Sequence, residues 1–382
     1  MPSLSDPAYP TVLQVLPALG GGGVERGTVE MAAAIARAGG RPLVASAGGM
    51  LAASVERAGG RNLILPLATK NPRKILANAG RLAKLIRAEQ VDIVHARSRA
   101  PAWSAYLAAR RTGARFVTTY HGAYNEDLWF KRRYNAVMAR GDLVIAISHF
   151  IAGLVTARHR VDPARIRVIH RGADPALFDP DGVTPGRLMR LSRAWRLQDG
   201  EAVVLLPGRI TRWKGQGVLI EALSLMTRRD VCAVLVGDDQ GRHKFVAELT
   251  AQAERLGLSA RVRIVGHCDD MPAALRLASV VVNASTDPEA FGRVVTEAQA
   301  MGAMVIATDH GGAVETIAHD VTGWLVTPGN AAELAAGLDY VLGLSQDARL
   351  EIGAMARASV IADYTVAAMQ AKTLDVYREL LA

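Results

Sequence analysis

Short runs of aliphatic and β-branched residues alternate along the whole chain with longer stretches whose apolar positions recur every three to four residues. This rhythm predicts βαβ units and parallel sheets, not a sandwich or a helical bundle. A first set of strands is expected at 12–16, 43–46, 63–65, 93–96, 116–120, 143–146 and 168–169. A second set is expected at 203–206, 233–236, 263–265, 280–283, 305–307 and 324–326. Between them, residues 171–187 contain Pro175, Pro180 and Pro185, which interrupt regular structure in the manner of an interdomain linker. The two halves share one strand-and-helix rhythm, so duplication of a nucleotide-binding plan is the simplest account of the chain.

Composition sharpens this picture. At 382 residues the chain exceeds the roughly 100 to 200 of one ordinary domain, which favours two packed cores. Half of it is hydrophobic but only 5% is aromatic, as expected where small aliphatic residues let helices lie close on a parallel sheet. The fold class is therefore α/β. Cys232 and Cys268 both border apolar runs, so reduced core thiols are expected and a disulfide framework is not. The opening MPSLSDPAYP has no basic segment followed by an apolar one, and no stretch approaches the ~18 apolar residues of a membrane span. A cytoplasmic location is expected. The net charge of +9 favours an anionic partner: nucleic acid, a membrane surface or a phosphorylated ligand.

Three strand-to-helix turns carry candidate chemistry. Gly20-Gly21-Gly22-Gly23-Val24-Glu25-Arg26 follows the first strand, where glycine would let backbone N–H groups approach an anion at a helix start, or would serve only a tight turn. Its spacing matches neither a dinucleotide fingerprint nor a Walker loop, which weighs against a dehydrogenase. Pro207-Gly208-Arg209-Ile210-Thr211-Arg212-Trp213-Lys214-Gly215 follows the first strand of the second half. Arg209 and Lys214 can converge there on neighbouring phosphates, the plainer alternative being a solvated basic turn. Asp287 to Glu297 leads from a loop into an apolar helix, with Glu289 at the turn and Glu297 inside the helix. Carboxylates accept hydrogen bonds from sugar and ribose hydroxyls, while N–H groups near Phe291 and Gly292 would face a phosphate. An acid at a helix start is also a common dipole complement.

Taken together, and with His121-Gly122 after a strand and the Val168-Ile169-His170-Arg171-Gly172-Ala173-Asp174 segment, the sequence resembles the family 4 glycosyltransferases of the GT-B class. The resemblance covers almost the whole chain. It implies two Rossmann-like domains whose parallel sheets face each other across a cleft, an acceptor-binding domain at 1–185, a nucleotide-sugar domain at 186–363, and a final helix at about 364–382 crossing back to the first. It also implies that Arg209 and Lys214 hold the donor diphosphate, that Glu289 contacts the transferred sugar with Ala290, Phe291 and Gly292 beside it, and that Glu297 contacts the ribose. His121 would lie beside the sugar, Gly22 and Gly23 would let the first domain reach donor and acceptor, and Val265 and His267 would flank the base. Arg293 stands where the family more often has an apolar residue.

The expected reaction is metal-independent transfer of a hexose-type sugar, with retention, from a UDP or GDP sugar to a hydroxyl of a glycan or lipid-linked acceptor, in polysaccharide or lipopolysaccharide synthesis. No other cofactor is expected. Charge on the clamp and helix starts would stabilise the leaving diphosphate. Asp179-Pro180-Asp181 spells a metal-like pattern, but it lies in the Pro-rich linker, and the histidines lack ligand spacing. A sugar-nucleotide epimerase shares the architecture and is distinguished by needing no acceptor. A nucleic-acid binder is opposed by dispersed basic residues and few aromatics. Finally, a helix expected at 72–89 places Arg73, Lys74, Arg81, Lys84 and Arg87 on one arc opposite Ile75, Leu76, Leu82, Leu85 and Ile86. With Lys70 and Lys131-Arg132-Arg133, that stripe is suited to an anionic membrane surface.

Overall fold

The computed structural model describes residues 10–382 and divides into two compact units: the residues through His170 together with Ala367–Ala382, and Arg171–Val366. The division falls at His170/Arg171, not near 185, because residues 171–185 pack with the second unit. There Phe178 joins the same apolar cluster as Leu205 and Val281.

The first unit holds strands β1 (Thr11–Val15), β2 (Arg41–Ser46), β3 (Arg61–Ile64), β4 (Ile93–Ala96), β5 (Arg115–Tyr120), β6 (Leu143–Ala146) and β7 (Ile166–Val168). Between them run α1 (Gly23–Arg37), α2 (Ala52–Arg57), α3 (Pro72–Ala88), α4 (Arg99–Thr112), α5 (Trp129–Asn135) and α6 (His149–His159). The second unit holds α7 (Pro185–Ala194), α8 (Gln216–Leu225), α9 (His243–Arg255), α10 (Met271–Leu277), α11 (Arg293–Ala300), α12 (Ala331–Gly343) and α13 (Gln346–Asp363). Its strands are β8 (Ala202–Pro207), β9 (Val231–Val236), β10 (Val262–Gly266), β11 (Val280–Asn283), β12 (Val305–Thr308) and β13 (Trp324–Val326). Every expected strand is present, four of them (93–96, 143–146, 280–283 and 324–326) with the bounds read from the sequence.

The sheet orders are β3-β2-β1-β4-β5-β6-β7 and β10-β9-β8-β11-β12-β13, with parallel pairing throughout. Helices cover both faces, so central strands such as β1 and β9 are buried at every residue. Both sheets reverse direction of winding beside their first strand, at β1/β4 and at β8/β11. Crevices beyond the carboxyl ends of strands at such switch points are where doubly wound sheets take ligands.

Local chemistry explains the helix bounds. Asn71 caps α3 by accepting from the N–H groups of Arg73 (3.0 Å) and Lys74 (3.3 Å), and Pro72 fits the first helical position. Its cations are exposed as the periodicity predicts, but Leu76 is also exposed, at 54%, so the apolar arc is narrower than expected. The last helix, α14 (Val366–Leu381), packs on the first unit: the Tyr377 hydroxyl lies 2.7 Å from His95 Nδ1, and Gln370 donates to the Glu30 carbonyl at 2.8 Å. The crossover beside it is tight, since a Cβ on Gly172 would lie 2.1 Å from the Thr365 carbonyl carbon. Cys232 is buried, whereas Cys268 is only partly so, at the end of β10 where the sheet has run out.

Candidate active site

In the second unit, the turn after β8 and the loop after β11 flank the switch point and converge. The Lys214 ammonium donates to Glu289 Oε1, and both side chains are largely buried, at 14% and 12% exposure. The same carboxylate oxygen accepts from Ser285 Oγ at 2.7 Å, and Ser285 Oγ also lies 2.8 Å from Asn283 Oδ1 at the end of β11. Lys214 rests with its ammonium 4.6 Å from the Trp213 ring centroid, which adds a cation–π contact. Glu289 is thus held at a defined place by two donors, and Lys214 by an anion that a ligand can replace.

Backbone geometry makes this convergence possible. Gly215 has φ +74°, and a Cβ there would lie 1.8 Å from the Ala284 carbonyl oxygen. Only glycine brings the β8 turn against β11. Gly292, at φ +83°, precedes the first residue of α11 in the left-handed region and leaves the helix start without a side-chain cap. Phe291 is buried beside it, and its ring lies 6.2 Å from that of Tyr364.

Arg209, in the same β8 turn as Lys214, is exposed, and among the described residues it makes no ion pair. Arg293, unusual for the family, donates to Glu297 Oε1 at 2.9 Å across one helical turn. It therefore orients the second carboxylate. Val265 and His267 line a cavity of about 980 Å³ that runs along β10 to Arg187 and Trp195. Arg187 is fixed there by Asp270, with bonds of 2.9 and 2.6 Å.

In the first unit, Gly20 to Gly23 lead into α1, and Gly22 precedes the helix at φ −78° without a side-chain cap. None of these glycines has positive φ. No left-handed backbone therefore calls for glycine here, and among Gly20 to Gly22 space does so only at Gly22, where a Cβ would lie 2.5 Å from Glu25 Oε2. His121 follows β5 and is partly buried. The loop after it is fastened by Arg158, which donates to the Tyr124 carbonyl at 2.7 Å, and by Glu126, which lies 3.2 Å from His159 in a nearly dry pair. Asp179 is engaged with Arg357 at 3.4 Å. Sequence reading passed over Ser285 and Asn283, which orient Glu289. A polar pair closing an apolar strand, four residues before the loop acid, is the signal that marks them.

Residues 21–177 match the profile of Glycosyltransferase Family 4, and residues 190–358 that of Glycosyl transferases group 1. A D-inositol 3-phosphate glycosyltransferase of Jonesia denitrificans is 30% identical over 281 residues, 67% of this chain and 64% of that protein. The chain thus matches just under two thirds of that relative's length. A glycosyltransferase crystal structure from Rickettsia africae is 40% identical, with a TM-score of 0.91 over 98% of this chain and 99% of the other. Anabaena Alr3699/HepE in complex with UDP-glucose is 26% identical, with a TM-score of 0.84 over 97% of this chain and 100% of the other. The two doubly wound units, their switch-point turns and these matches agree: the chain belongs to family 4 of the GT-B glycosyltransferases.

Proposed function

We propose that this protein is a retaining, metal-independent glycosyltransferase that moves a hexose-type sugar from a UDP or GDP sugar to a hydroxyl of a glycan or lipid-linked acceptor, in envelope polysaccharide or lipopolysaccharide synthesis. The observation that carries this reading is the Lys214–Glu289 pair at the second unit's switch point, with exposed Arg209 and the start of α11 around it. A diphosphate arriving there offers Lys214 a stronger anion than one carboxylate, and Arg209 a partner. Charge-assisted bonds of this kind contribute roughly 1.5 to 3 kcal/mol each. Glu289 is then left to accept from sugar hydroxyls while Ser285 keeps it in place. Glu297 receives the ribose, and Val265 and His267 the base.

In the reaction the bond from the anomeric carbon to the diphosphate oxygen breaks, and the acceptor oxygen bonds to that carbon on the same face. The acceptor proton passes to the departing diphosphate. Arg209, Lys214 and helix N–H groups stabilise the charge that develops on the leaving group, so neither a protein nucleophile nor a metal ion is required. The complex of Alr3699/HepE with UDP-glucose supports a nucleotide-sugar donor, and the inositol 3-phosphate named for the Jonesia protein supports a hydroxyl-bearing acceptor. The exposed cations of α3, with Trp129 and Phe130 exposed at 76% and 52%, support work at an anionic cytoplasmic membrane face.

The test is a donor panel of UDP, GDP and ADP sugars read first by thermal shift and then by acceptor-dependent release of nucleoside diphosphate in excess EDTA. One UDP or GDP sugar should stabilise the protein and be turned over with EDTA present. Turnover without any acceptor would favour an epimerase, and activity lost to EDTA and restored by magnesium would sink the metal-free mechanism.

A further inference from the structure

Strands β11 and β12 run side by side, with Asn283 opposite Ala307, so the loops that follow them leave the sheet together. The β12 loop lies directly against the backbone of Glu289. Gly311, at φ +70°, has no room for a Cβ, which would lie 2.5 Å from the Glu289 carbonyl oxygen, and the Gly312 N–H donates to that oxygen at 2.7 Å. Nearer the sheet, the Ser285 carbonyl accepts two bonds, from Thr308 Oγ1 at 2.9 Å and from His310 Nε2 at 2.8 Å. A carbonyl oxygen has two lone pairs, and both are used here. Because that oxygen can only accept, Nε2 is the ring nitrogen that carries the proton.

The other side of the same peptide unit is also fastened. The Thr286 N–H donates to the Trp213 carbonyl at 2.7 Å, and Trp213 immediately precedes Lys214. The Ser285–Thr286 peptide therefore joins the turn that carries Lys214 to the loop that carries Glu289. Thr308 and His310 hold its orientation, since tilting the peptide would break their bonds together with the one to Trp213. Ser285 Oγ, 2.7 Å from Glu289 Oε1, would move with it. The two donors stand on firm ground: Thr308 is buried, and between them the Asp309 N–H donates to the Val326 carbonyl of β13 at 2.8 Å.

We infer that His310 is a positioning residue for sugar transfer, a role that rests on the reading that Glu289 accepts from hydroxyls of the transferred sugar. With Thr308 it fixes the Ser285–Thr286 peptide, and through that peptide the place of the Glu289 carboxylate relative to Lys214. His310 acts through Ser285 and not on the nucleotide. Two consequences distinguish it from a histidine that merely ties two loops together. Losing its bond should slow transfer at saturating donor but spare nucleotide affinity, because the Lys214 turn keeps its own bond to Thr286. A side chain that returns an N–H at the reach of Nε2 should restore the rate, whereas one that offers it at the reach of Nδ1 should not, since small misplacements of a reacting contact are costly.

The test compares His310→Gln, whose amide nitrogen extends about as far as Nε2, with His310→Asn, whose amide stops near Nδ1. The rate and KM are measured with the UDP or GDP sugar that wild type turns over, beside titration of the matching free nucleoside diphosphate and the thermal midpoint. His310→Asn should lower kcat by about fivefold to twentyfold, the worth of one buried hydrogen bond. His310→Gln should return to within about twofold of wild type, and both variants should bind the diphosphate within about twofold of wild type. Thr308→Val, which exchanges the hydroxyl for a methyl group, should lower kcat as well, and Thr308→Ser should not, so the outcome does not hang on one position. In a Ser285→Ala background His310→Asn should cost less than it does alone, because the two residues act along one path. The role is overturned if His310→Asn turns over like wild type, if His310→Gln is no better than His310→Asn, or if diphosphate affinity and thermal midpoint fall in step with kcat. Failure of the underlying reading shows elsewhere: Glu289→Gln would then turn over like wild type, and the role of His310 would fall with it.

Discussion

The two units share a winding plan but differ in how their switch points are built. In the second, side chains pair: Lys214 from the β8 turn on Glu289, Ser285 on Glu289 within the β11 loop, and Arg293 on Glu297 along α11. In the first, the turn after β1 offers four consecutive glycines and no side chain, and its charges lie on the neighbouring β4 turn and the loop after β5. On the proposed reading the donor is a constant target, its diphosphate met by fixed cations and its hydroxyls by fixed carboxylates. An acceptor varies more, and a surface of bare backbone and loop residues can change with it without disturbing the sheet.

This contrast is sharpest at the glycines. Gly215→Ala should cost more than about 3 kcal/mol, because the new methyl group would enter the Ala284 carbonyl and φ is +74°. Gly21→Ala should change stability by less than about 0.5 kcal/mol, since its Cβ would meet only Met50 Cε at 3.6 Å. It should nevertheless slow transfer. Thermal unfolding and turnover of both variants check the contrast, and it breaks if Gly21→Ala is the less stable of the two.

Within the second unit, Glu289→Gln should lower turnover by about tenfold or more through loss of the sugar contact, without weakening UDP, because Lys214 loses a competing anion and not a partner it needs for the diphosphate. Glu297→Gln should instead weaken UDP itself. Equal loss of free UDP affinity in both variants contradicts the division of roles.

The smallest expected effect concerns pH and belongs to the first unit. Burial, assisted by the nearby Arg97 charge, holds His95 well below its usual 6.5, between Tyr377 and Thr119 at 2.7 Å each. Burial also lowers His159. The unfolded chain gains protons below pH 6.5 that the folded unit refuses, so stability falls as pH drops, by up to about 1.4 kcal/mol per pH unit for each histidine. Hydrogen exchange of first-unit amides between pH 7 and 5 should show this slope, and His95→Gln should flatten it. Protection independent of pH would show that neither histidine remains neutral.

Much of this was legible from the residues. The strands were, because buried parallel strands read as continuous aliphatic runs bounded by turns. So was the edge at which Lys214 and Glu289 meet, because both lie in turns that follow strands and topology carries strand ends to one edge. The unit boundary was not: Pro175, Pro180 and Pro185 mark irregular chain, but Phe178 decides by packing which core owns it. Nor was the hold on Ser285, whose donors Thr308 and His310 lie 23 and 25 residues further on and reach it because β12 pairs beside β11. Arg293 reads as a departure in one dimension and as the partner of Glu297 in three.

In the proposed mechanism the second unit grips the donor diphosphate through Arg209 and Lys214. That grip is tested most directly by titrating UDP and GDP, and their monophosphates, into wild type and Arg209→Ala, which removes an exposed cation and no packing. One diphosphate should bind wild type and lose about tenfold or more in affinity in the variant, with the monophosphate changed much less and turnover falling with the diphosphate. Diphosphate affinity and turnover that are the same in Arg209→Ala and wild type would contradict the account.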